Sequence, residues 1–493
     1  MAEENEIFEN TIVFTILKYL SYFLMIITGF ILTKFLGPAA FGLYSAMMLV
    51  LRYSRYSFMG FFSACFKKIS ILKGKQQLSK LQEIRDNTFA PSLYISLILG
   101  LLLFMSSFML RYDTDVLIAL RWVSILIVLQ QIFSFYTIYL RTDKLFSLYG
   151  LVDLIFKLLR LVFIFILIWK FKLNGVLMAL CLAYVFSLLF GIYRKNYLYH
   201  LTFSFKKAKN LFLFGLPNTL FGTMGTVFTS ADKIMIIAFF SRTYLGFYSF
   251  AVLVLETITF IPANIAIVIL PSQLERFGAN KSKDNIKNML VFPMTIISYL
   301  LPIILGGAFI FSEPVVTYIF PEYLPALDSL YFLSLGAFFL SNIFILENYI
   351  VSINKEKNIL FSKLFFILIG VILNYFLIVN GYGIKGVAIA TSFTYMLYFS
   401  FLIIYSFLAL FQKQKIFREI GVIVFPFFYM LIVLKVISLY AHININLTTD
   451  FTIATFKYAI FLVLNIPLWL YLQKKTSLFA FAYTYIRKML RLT

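Results

Sequence analysis

Hydrophobic and polar positions along this chain neither alternate nor form a one-sided stripe. They fall into long apolar blocks separated by short polar ones. A helix crossing a bilayer needs about 20 mostly apolar residues. Fourteen blocks meet that need, at 11–35, 43–66, 88–110, 116–140, 146–169, 174–193, 211–238, 246–271, 289–311, 329–350, 359–379, 386–410, 420–440 and 451–472. In hydrocarbon each backbone polar group must be satisfied within the segment, so these blocks read as helices. A transmembrane barrel would show alternation over about ten residues, and that pattern is absent. The polar segments between blocks are too short to hide a soluble domain. The predicted fold class is all-α integral membrane, with fourteen transmembrane helices.

Composition agrees. Of 493 residues, 62% are hydrophobic and 13% charged, against about a quarter charged in soluble domains. The two cysteines, Cys65 and Cys181, fall in or at the end of predicted spans, which argues for small buried apolar residues rather than a disulfide framework. His200 and His442 lie in different loops on opposite faces and cannot build a metal site together. No phosphate-binding loop, dinucleotide fingerprint or nucleophile elbow occurs in a usable context. The expectation is a protein that is not an enzyme and has no cofactor, with H+ or Na+ as a coupling ion.

The net charge of +22 would suggest nucleic acid in a soluble protein, but its distribution explains most of it. Alternate loops and the tail, at 67–87, 141–145, 194–210, 272–288, 351–358, 411–419 and 473–493, hold 27 Lys and Arg. The opposite set holds five: Arg111, Lys170, Lys172, Arg242 and Lys385. Basic loops stay cytoplasmic. A multi-pass protein of the cytoplasmic (inner) membrane with both termini cytoplasmic is therefore expected, and a nucleic-acid partner is not. Residues 1–10 carry four glutamates and no basic residue, unlike a secretory signal, so the first span is expected to be retained.

Eleven basic residues remain within the apolar blocks, with four acids, Asp153, Asp232, Glu256 and Glu347. A charge at the bilayer centre costs about 2.5–3.5 kcal/mol on the insertion scale, so such groups should face a wet cavity or one another. Lys34, Arg121, Lys363 and Lys457 lie near block ends and are expected to snorkel. Arg52 and Arg55 are three apart and predicted to share a face of the second helix. Asp153, Lys157 and Arg160 follow i, i+4, i+7 spacing on the fifth, where Asp153 can pair with Lys157. Lys18 adds a cation on the first helix, one turn before Tyr22.

Ion pairs alone could explain these groups, but the acids are too few to neutralise the cations. A cationic cavity at membrane depth suits phosphate or pyrophosphate, which arginine binds bidentately. Lys18, Arg52, Arg55, Lys157 and Arg160 are the candidate pyrophosphate-binding residues. In the second half, Asp232 lies beside Lys233, with Asn218, Thr226 and Thr229 near the same face; Glu256 and Glu347 lie within helices. Asp153, Asp232, Glu256 and Glu347 are candidates for ion coupling or for pairing.

The chain repeats itself weakly. A shift of 204 aligns Phe35, Gly42, Tyr44, Ser45, Leu49 and Val50 with Phe239, Gly246, Tyr248, Ser249, Leu253 and Val254. A shift of 211 aligns Gly175, Val176, Ala179 and Tyr184 with Gly386, Val387, Ala390 and Tyr395. Six helices per half keep both halves in one orientation, which places the symmetry axis along the membrane normal and the substrate path between the halves. The predicted organisation is an N-terminal six-helix lobe over 1–193, a cytoplasmic linker at 194–210 and a C-terminal six-helix lobe over 211–410. An extra helix pair follows at 411–472, then a basic amphipathic tail at 473–493 suited to anionic lipid.

These motifs carry a resemblance. Gly37-Pro38-x-x-Phe41-Gly42-x-Tyr44-Ser45, then Pro217, Ala231-Asp232-Lys233-Ile234-Met235 and Leu245-Gly246-x-Tyr248-Ser249 resemble a polysaccharide-flippase signature. Phe320-Pro321-Glu322-Tyr323 and residues 382–390, YGIKGVAIA, fit it too. Over most of residues 10–410 the chain resembles Wzx-type O-antigen and polysaccharide flippases of the multidrug/oligosaccharidyl-lipid/polysaccharide exporter superfamily. The resemblance implies an inner-membrane flippase that moves undecaprenyl-pyrophosphate-linked oligosaccharide, an O-antigen or similar surface polysaccharide unit, to the periplasmic leaflet by ion-coupled alternating access. Its implied partners are the lipid-linked oligosaccharide, anionic membrane lipids and polysaccharide polymerase or assembly proteins. Similar flippases use basic residues of the first two helices for pyrophosphate, which matches Lys18, Arg52 and Arg55. Related lipid II flippases also tend to place a cation in the eighth helix, where this chain has Glu256, so that role is not transferred. A MATE-like cation-coupled drug antiporter and a lipid II flippase are the alternatives; the basic first half argues against the former.

Overall fold

The computed structural model describes residues 2–197, 200–201, 203–278, 283–353, 355–438 and 446–476. His442 and the predicted amphipathic segment 477–492 lie outside the described residues. Among those described there is no strand. The helices are α1 (Ala2–Ser54), α2 (Met59–Gly74), α3 (Leu81–Met109), α4 (Thr114–Thr142), α5 (Phe146–Arg194), α6 (Phe205–Phe228) and α7 (Ala231–Phe239). They continue as α8 (Arg242–Gly278), α9 (Lys283–Ile319), α10 (Leu327–Ser352), α11 (Glu356–Val379), α12 (Gly383–Leu410), α13 (Lys413–Ser438) and α14 (Leu447–Thr476). Ten described helical stretches are long and apolar enough to cross a membrane, or eleven if the bent pair Phe205–Pro217 and Thr219–Phe228 is one span. The protein is an integral membrane protein.

Among the described residues each of the fourteen apolar blocks is helical over most of its length, but the helices do not break where the blocks do. The first block and the start of the second, to Ser54, run together in α1, whose 53 residues would span about 80 Å at 1.5 Å each, far beyond one hydrocarbon core of about 30 Å, and the rest of the second block continues through a 3-10 turn into α2. It bends at Gly37, where φ is 71° and ψ 170°, followed by Pro38. Glycine supplies the positive φ, and proline lacks the N–H that a continuous helix would need. The 49-residue α5 turns likewise at Lys172, φ 44° and ψ −124°, with no glycine or proline to announce it. The seventh block is divided in the opposite sense, into α6 and α7 across residues 229–230.

The chain forms two compact units, one of Met1–Thr226 with Phe240–Gly246, the other of Val227–Phe239 with Phe247–Thr493. In the first, α1 packs along α5, α4 contacts α1, α3 and α5, and α2 packs on α3 and α4. Backbones meet at glycine: a Cβ on Gly215 would collide with the Gly60 carbonyl, and one on Gly42 with that of Arg242. That approach of α6 to α2 keeps Phe205–Thr226 in the first unit, past the linker predicted at 194–210. Without a hydrophobic drive in lipid, such small-residue contacts let helices associate by dispersion.

In the second unit α10 is central, with 78% of its most apolar window buried, whereas α11 has 28% and presents Ile372, Phe376 and Val379 outward. The α10–α12 seam is close enough that a Cβ on Gly336 would press on Ser392, whose Oγ donates to the Phe332 carbonyl at 2.7 Å. Helices α13 and α14 pack on α9, and α13 also touches α12.

Candidate substrate and coupling sites

Helices α1 and α5 of the first unit, with the 3-10 turn that follows α1, bring four of the five predicted pyrophosphate-binding residues into one neighbourhood. Gly150 admits Leu17 and Phe14 close to the α5 backbone, which places Lys18 against α5. Its Nζ donates to Asp153 Oδ2 at 2.8 Å and to the Tyr149 hydroxyl at 3.1 Å, and lies 4.4 Å from the Tyr149 ring centroid. Asp153 therefore makes its ion pair across the helix interface with Lys18; the predicted pairing with Lys157, one turn along the same helix, is corrected. Asp153, Arg160, Lys18 and Arg55 are the charged neighbours of Lys157. Arg160 donates to the Tyr44 hydroxyl at 2.7 Å, while its Nε is buried with no hydrogen-bond partner among the described residues. Tyr184, stacked on Phe156, lies beside both Arg55 and Arg160. One carboxylate thus accompanies Lys18, Arg55, Lys157 and Arg160. Partly buried guanidinium nitrogen left without a partner is a ready donor for an anion.

Arg52 lies in the last turn of α1 and Arg55 opens the 3-10 turn that follows, a geometry in which residues three apart still lie one above the other. The α-helix ends at Ser54, and residues 55–57 form a 3-10 turn before α2. Ser54 and Ser57 hydroxyls bond back to the carbonyls of Leu51 and Ser54, competing with the regular ladder. Arg52 is exposed and Arg55 half-buried.

The second unit holds two carboxylate groupings. The break before α7 puts Asp232 in that helix's first turn, where the helix dipole favours negative charge. Asp232 is buried and accepts from the Tyr248 hydroxyl at 2.6 Å and from the Lys233 backbone N–H at 2.7 Å. Tyr248 is also 3.5 Å from Thr391 Oγ1, and Tyr395 lies within electrostatic range of Asp232 and Glu256. Glu256 itself is exposed. Glu347 is bound at 2.7 Å by Lys363, with side chains 12% and 5% exposed, and accepts from the Tyr398 hydroxyl at 2.9 Å. Lys363 does not snorkel: it is buried against α10, where the carboxylate of Glu347 is available to it. Lys457 is likewise buried. The side chain of Asn218 lies outside the described residues, and the α6–α7 break removes the single face predicted for Thr226, Thr229 and Lys233.

The loop end of the first unit is knitted by Asp143. It receives Lys73 at 2.6 Å, Arg85 at 2.9 Å and 3.1 Å, and the Tyr197 hydroxyl at 2.8 Å. Burial pushes this carboxyl up, but the bonds from Lys73 and Tyr197 and the Arg85 charge outweigh it and hold its pKa below the usual range. His200 pairs with Asp86 at 2.9 Å. Among the described residues no three His, Cys, Asp or Glu converge as a metal site.

Sequence reasoning missed the tyrosines and Lys363. Tyr44, Tyr149, Tyr248 and Tyr398 each hold an interior charge by its hydroxyl. Two of them, Tyr44 and Tyr248, are an aligned pair in the internal repeat, which was the available signal.

The helical architecture is shared with membrane transporters of known structure. It superposes on an inward-closed structure of the lipid II flippase MurJ with TM-score 0.72 and 16% identity, covering 91% of this chain and 98% of that one. An inward-facing MATE-family multidrug resistance transporter matches with TM-score 0.64 and 17% identity, over 81% of this chain and 95% of that one. An uncharacterized membrane protein of Methanocaldococcus jannaschii is 22% identical over 398 residues, 76% of this chain and 91% of its own length. Residues 31–327 match the family described as polysaccharide biosynthesis protein, and the chain belongs to that family.

Proposed function

We propose that this protein is a flippase for a lipid-linked oligosaccharide, an O-antigen or similar polysaccharide unit carried on undecaprenyl pyrophosphate. It moves this substrate from the cytoplasmic to the periplasmic leaflet of the inner membrane, with both termini cytoplasmic as the 27-to-5 loop asymmetry favours. The observation that carries the reading is the cationic excess of Lys18, Arg55, Lys157 and Arg160 around Asp153, at membrane depth, with a buried Arg160 nitrogen unpartnered. Pyrophosphate is the headgroup element that such a cluster neutralises. Buried Asp232, bonded by Tyr248 and near Thr391, supplies a carboxylate able to take a proton or Na+ and so couple movement to an ion gradient. No step requires catalysis by the chain.

The lipid II flippase and the multidrug transporter share this fold, so each is a competing reading. The test is complementation of a flippase-null strain, scored for long-chain surface polysaccharide. Wild type is expected to restore display, and the Arg55→Ala, Arg160→Ala double variant to abolish it while remaining in the membrane. Normal display by that variant overturns the cavity assignment. Rescue of drug resistance instead of polysaccharide display overturns the flippase reading.

A further inference from the structure

The kinks of α1 and α5 border a basic cavity of about 430 Å³ in the first unit. Lys170, Lys172, Arg242 and Asn174 line it together with a single acid, Asp115. Three of the five basic residues in the sparse loop set therefore gather at one cavity. Loops of that set are normally kept poor in Lys and Arg, so this concentration calls for a local reason. Arg242 leans on Asp113 at 3.4 Å, but neither Lys170 nor Lys172 has an ion-pair partner among the described residues.

Two further features fix the kind of ligand. The cavity lies where the apolar blocks 11–35 and 146–169 end, and beside it Phe35 and Trp169 pack with ring centroids 4.6 Å apart, 38% and 64% exposed. An exposed Trp–Phe pair at the end of two apolar blocks marks the headgroup level of the bilayer. The backbone of Lys172, at φ 44° and ψ −124°, occupies a region that glycine fills without strain. A lysine there is disfavoured by the fold and supplies an ammonium group to the cavity.

The geometry points to a headgroup site: this cavity holds the phosphate of an anionic membrane lipid through Lys170, Lys172 and Arg242, with Asn174 as a further donor and acceptor. The site is separate from the Lys18–Arg160 cluster and does not depend on the transport reading. Its phosphate can belong to a resident phospholipid or to a polyprenyl carrier, and the two sources are separable.

The purified full chain in detergent is titrated with phosphatidylglycerol, phosphatidylcholine, farnesyl pyrophosphate and inorganic pyrophosphate, and bound adducts are counted by native mass spectrometry. Each basic group near a membrane surface contributes about fivefold to anionic-lipid affinity. Lys172→Gly is expected to weaken phosphatidylglycerol binding about fivefold while keeping or raising thermal stability, because it relieves the strained backbone. Lys170→Gln with Lys172→Gly weakens binding about 25-fold, and Asp115→Asn tightens it. Stronger retention of farnesyl pyrophosphate than phosphatidylglycerol, lost in Lys170→Gln with Lys172→Gly but kept in Arg160→Ala, supports the site with the carrier as its source. Unchanged binding in Lys172→Gly, weaker binding in Asp115→Asn, or equal retention of phosphatidylcholine and phosphatidylglycerol overturns the proposal. So does capture of inorganic pyrophosphate with neither lipid retained.

Discussion

Lys363→Met is the sharpest perturbation available in the second unit. It removes the ammonium 2.7 Å from Glu347 and leaves a carboxylate 12% exposed, with only the Tyr398 hydroxyl at 2.9 Å. Methionine matches the lysine stem in volume and replaces the ammonium, 5.8 Å from the Phe228 ring centre, with a thioether that suits an aromatic neighbour. Breaking a buried ion pair from one side costs about 3–5 kcal/mol, because the remaining charge is stranded. Removing both charges at similar volume is often neutral. Glu347→Gln with Lys363→Met retains an acceptor for Tyr398 and is expected within about 1 kcal/mol of wild type, giving a coupling of at least about 2 kcal/mol.

The assay is the rate at which a purified, monodisperse protein in detergent is lost on heating, since membrane proteins rarely unfold reversibly. The single variant should be lost at least tenfold faster than wild type, and the double variant close to the wild-type rate. A double variant as labile as the single one refutes the reasoning, for then the contact is not what stabilises this seam. Complementation by the double variant separates the two roles offered for Glu347. Restored export assigns the pair to helix association; a stable but inactive double variant assigns Glu347 to coupling.

Gly42→Ala forces a Cβ onto the Arg242 carbonyl and should cost about 1–3 kcal/mol, whereas Gly222→Ala on α6, with nothing within 4 Å, should be neutral or stabilising; thermal loss of the two purified variants is the comparison. Asp143 contributes stability above the ordinary carboxyl pKa of about 3.9, and that contribution is lost as pH falls through its lowered folded-state value. Asp143→Asn should therefore be less heat-resistant than wild type at pH 7, with the gap closing below about pH 4.

How far the fold was legible follows from what each kind of signal encodes. Hydropathy marks residues that tolerate lipid, so the described apolar blocks became helix, yet it says nothing about direction, and α5 runs through two blocks while the second block is shared between α1 and α2. The bend at Gly37-Pro38 is written in residue type. The bend at Lys172 is not, because a lysine held at positive φ is imposed by its surroundings. Charges were visible but their partners were not. Asp153 had Lys157 one turn away and chose Lys18 from a neighbouring helix, since pairing inside a bundle is decided by which faces pack. Lys363 looked like a snorkelling side chain for the same reason: sequence gives its depth, and only packing gives it Glu347.

The internal repeat carried more about the sites than its chance-prone matches suggest. Tyr44 and Tyr184 flank Arg160 in the first unit, and their repeat counterparts Tyr248 and Tyr395 flank Asp232 in the second. The hydroxyl of Tyr44 accepts from a guanidinium and that of Tyr248 donates to a carboxylate, which one phenol can do equally well. The same tyrosine framework thus holds a cation in one half and an acid in the other. The charged residues themselves occupy non-equivalent helices, α5 and α7, so a search for repeated charges finds nothing. A duplicated scaffold can thus keep its tyrosines while the charge beside them changes sign between the two units.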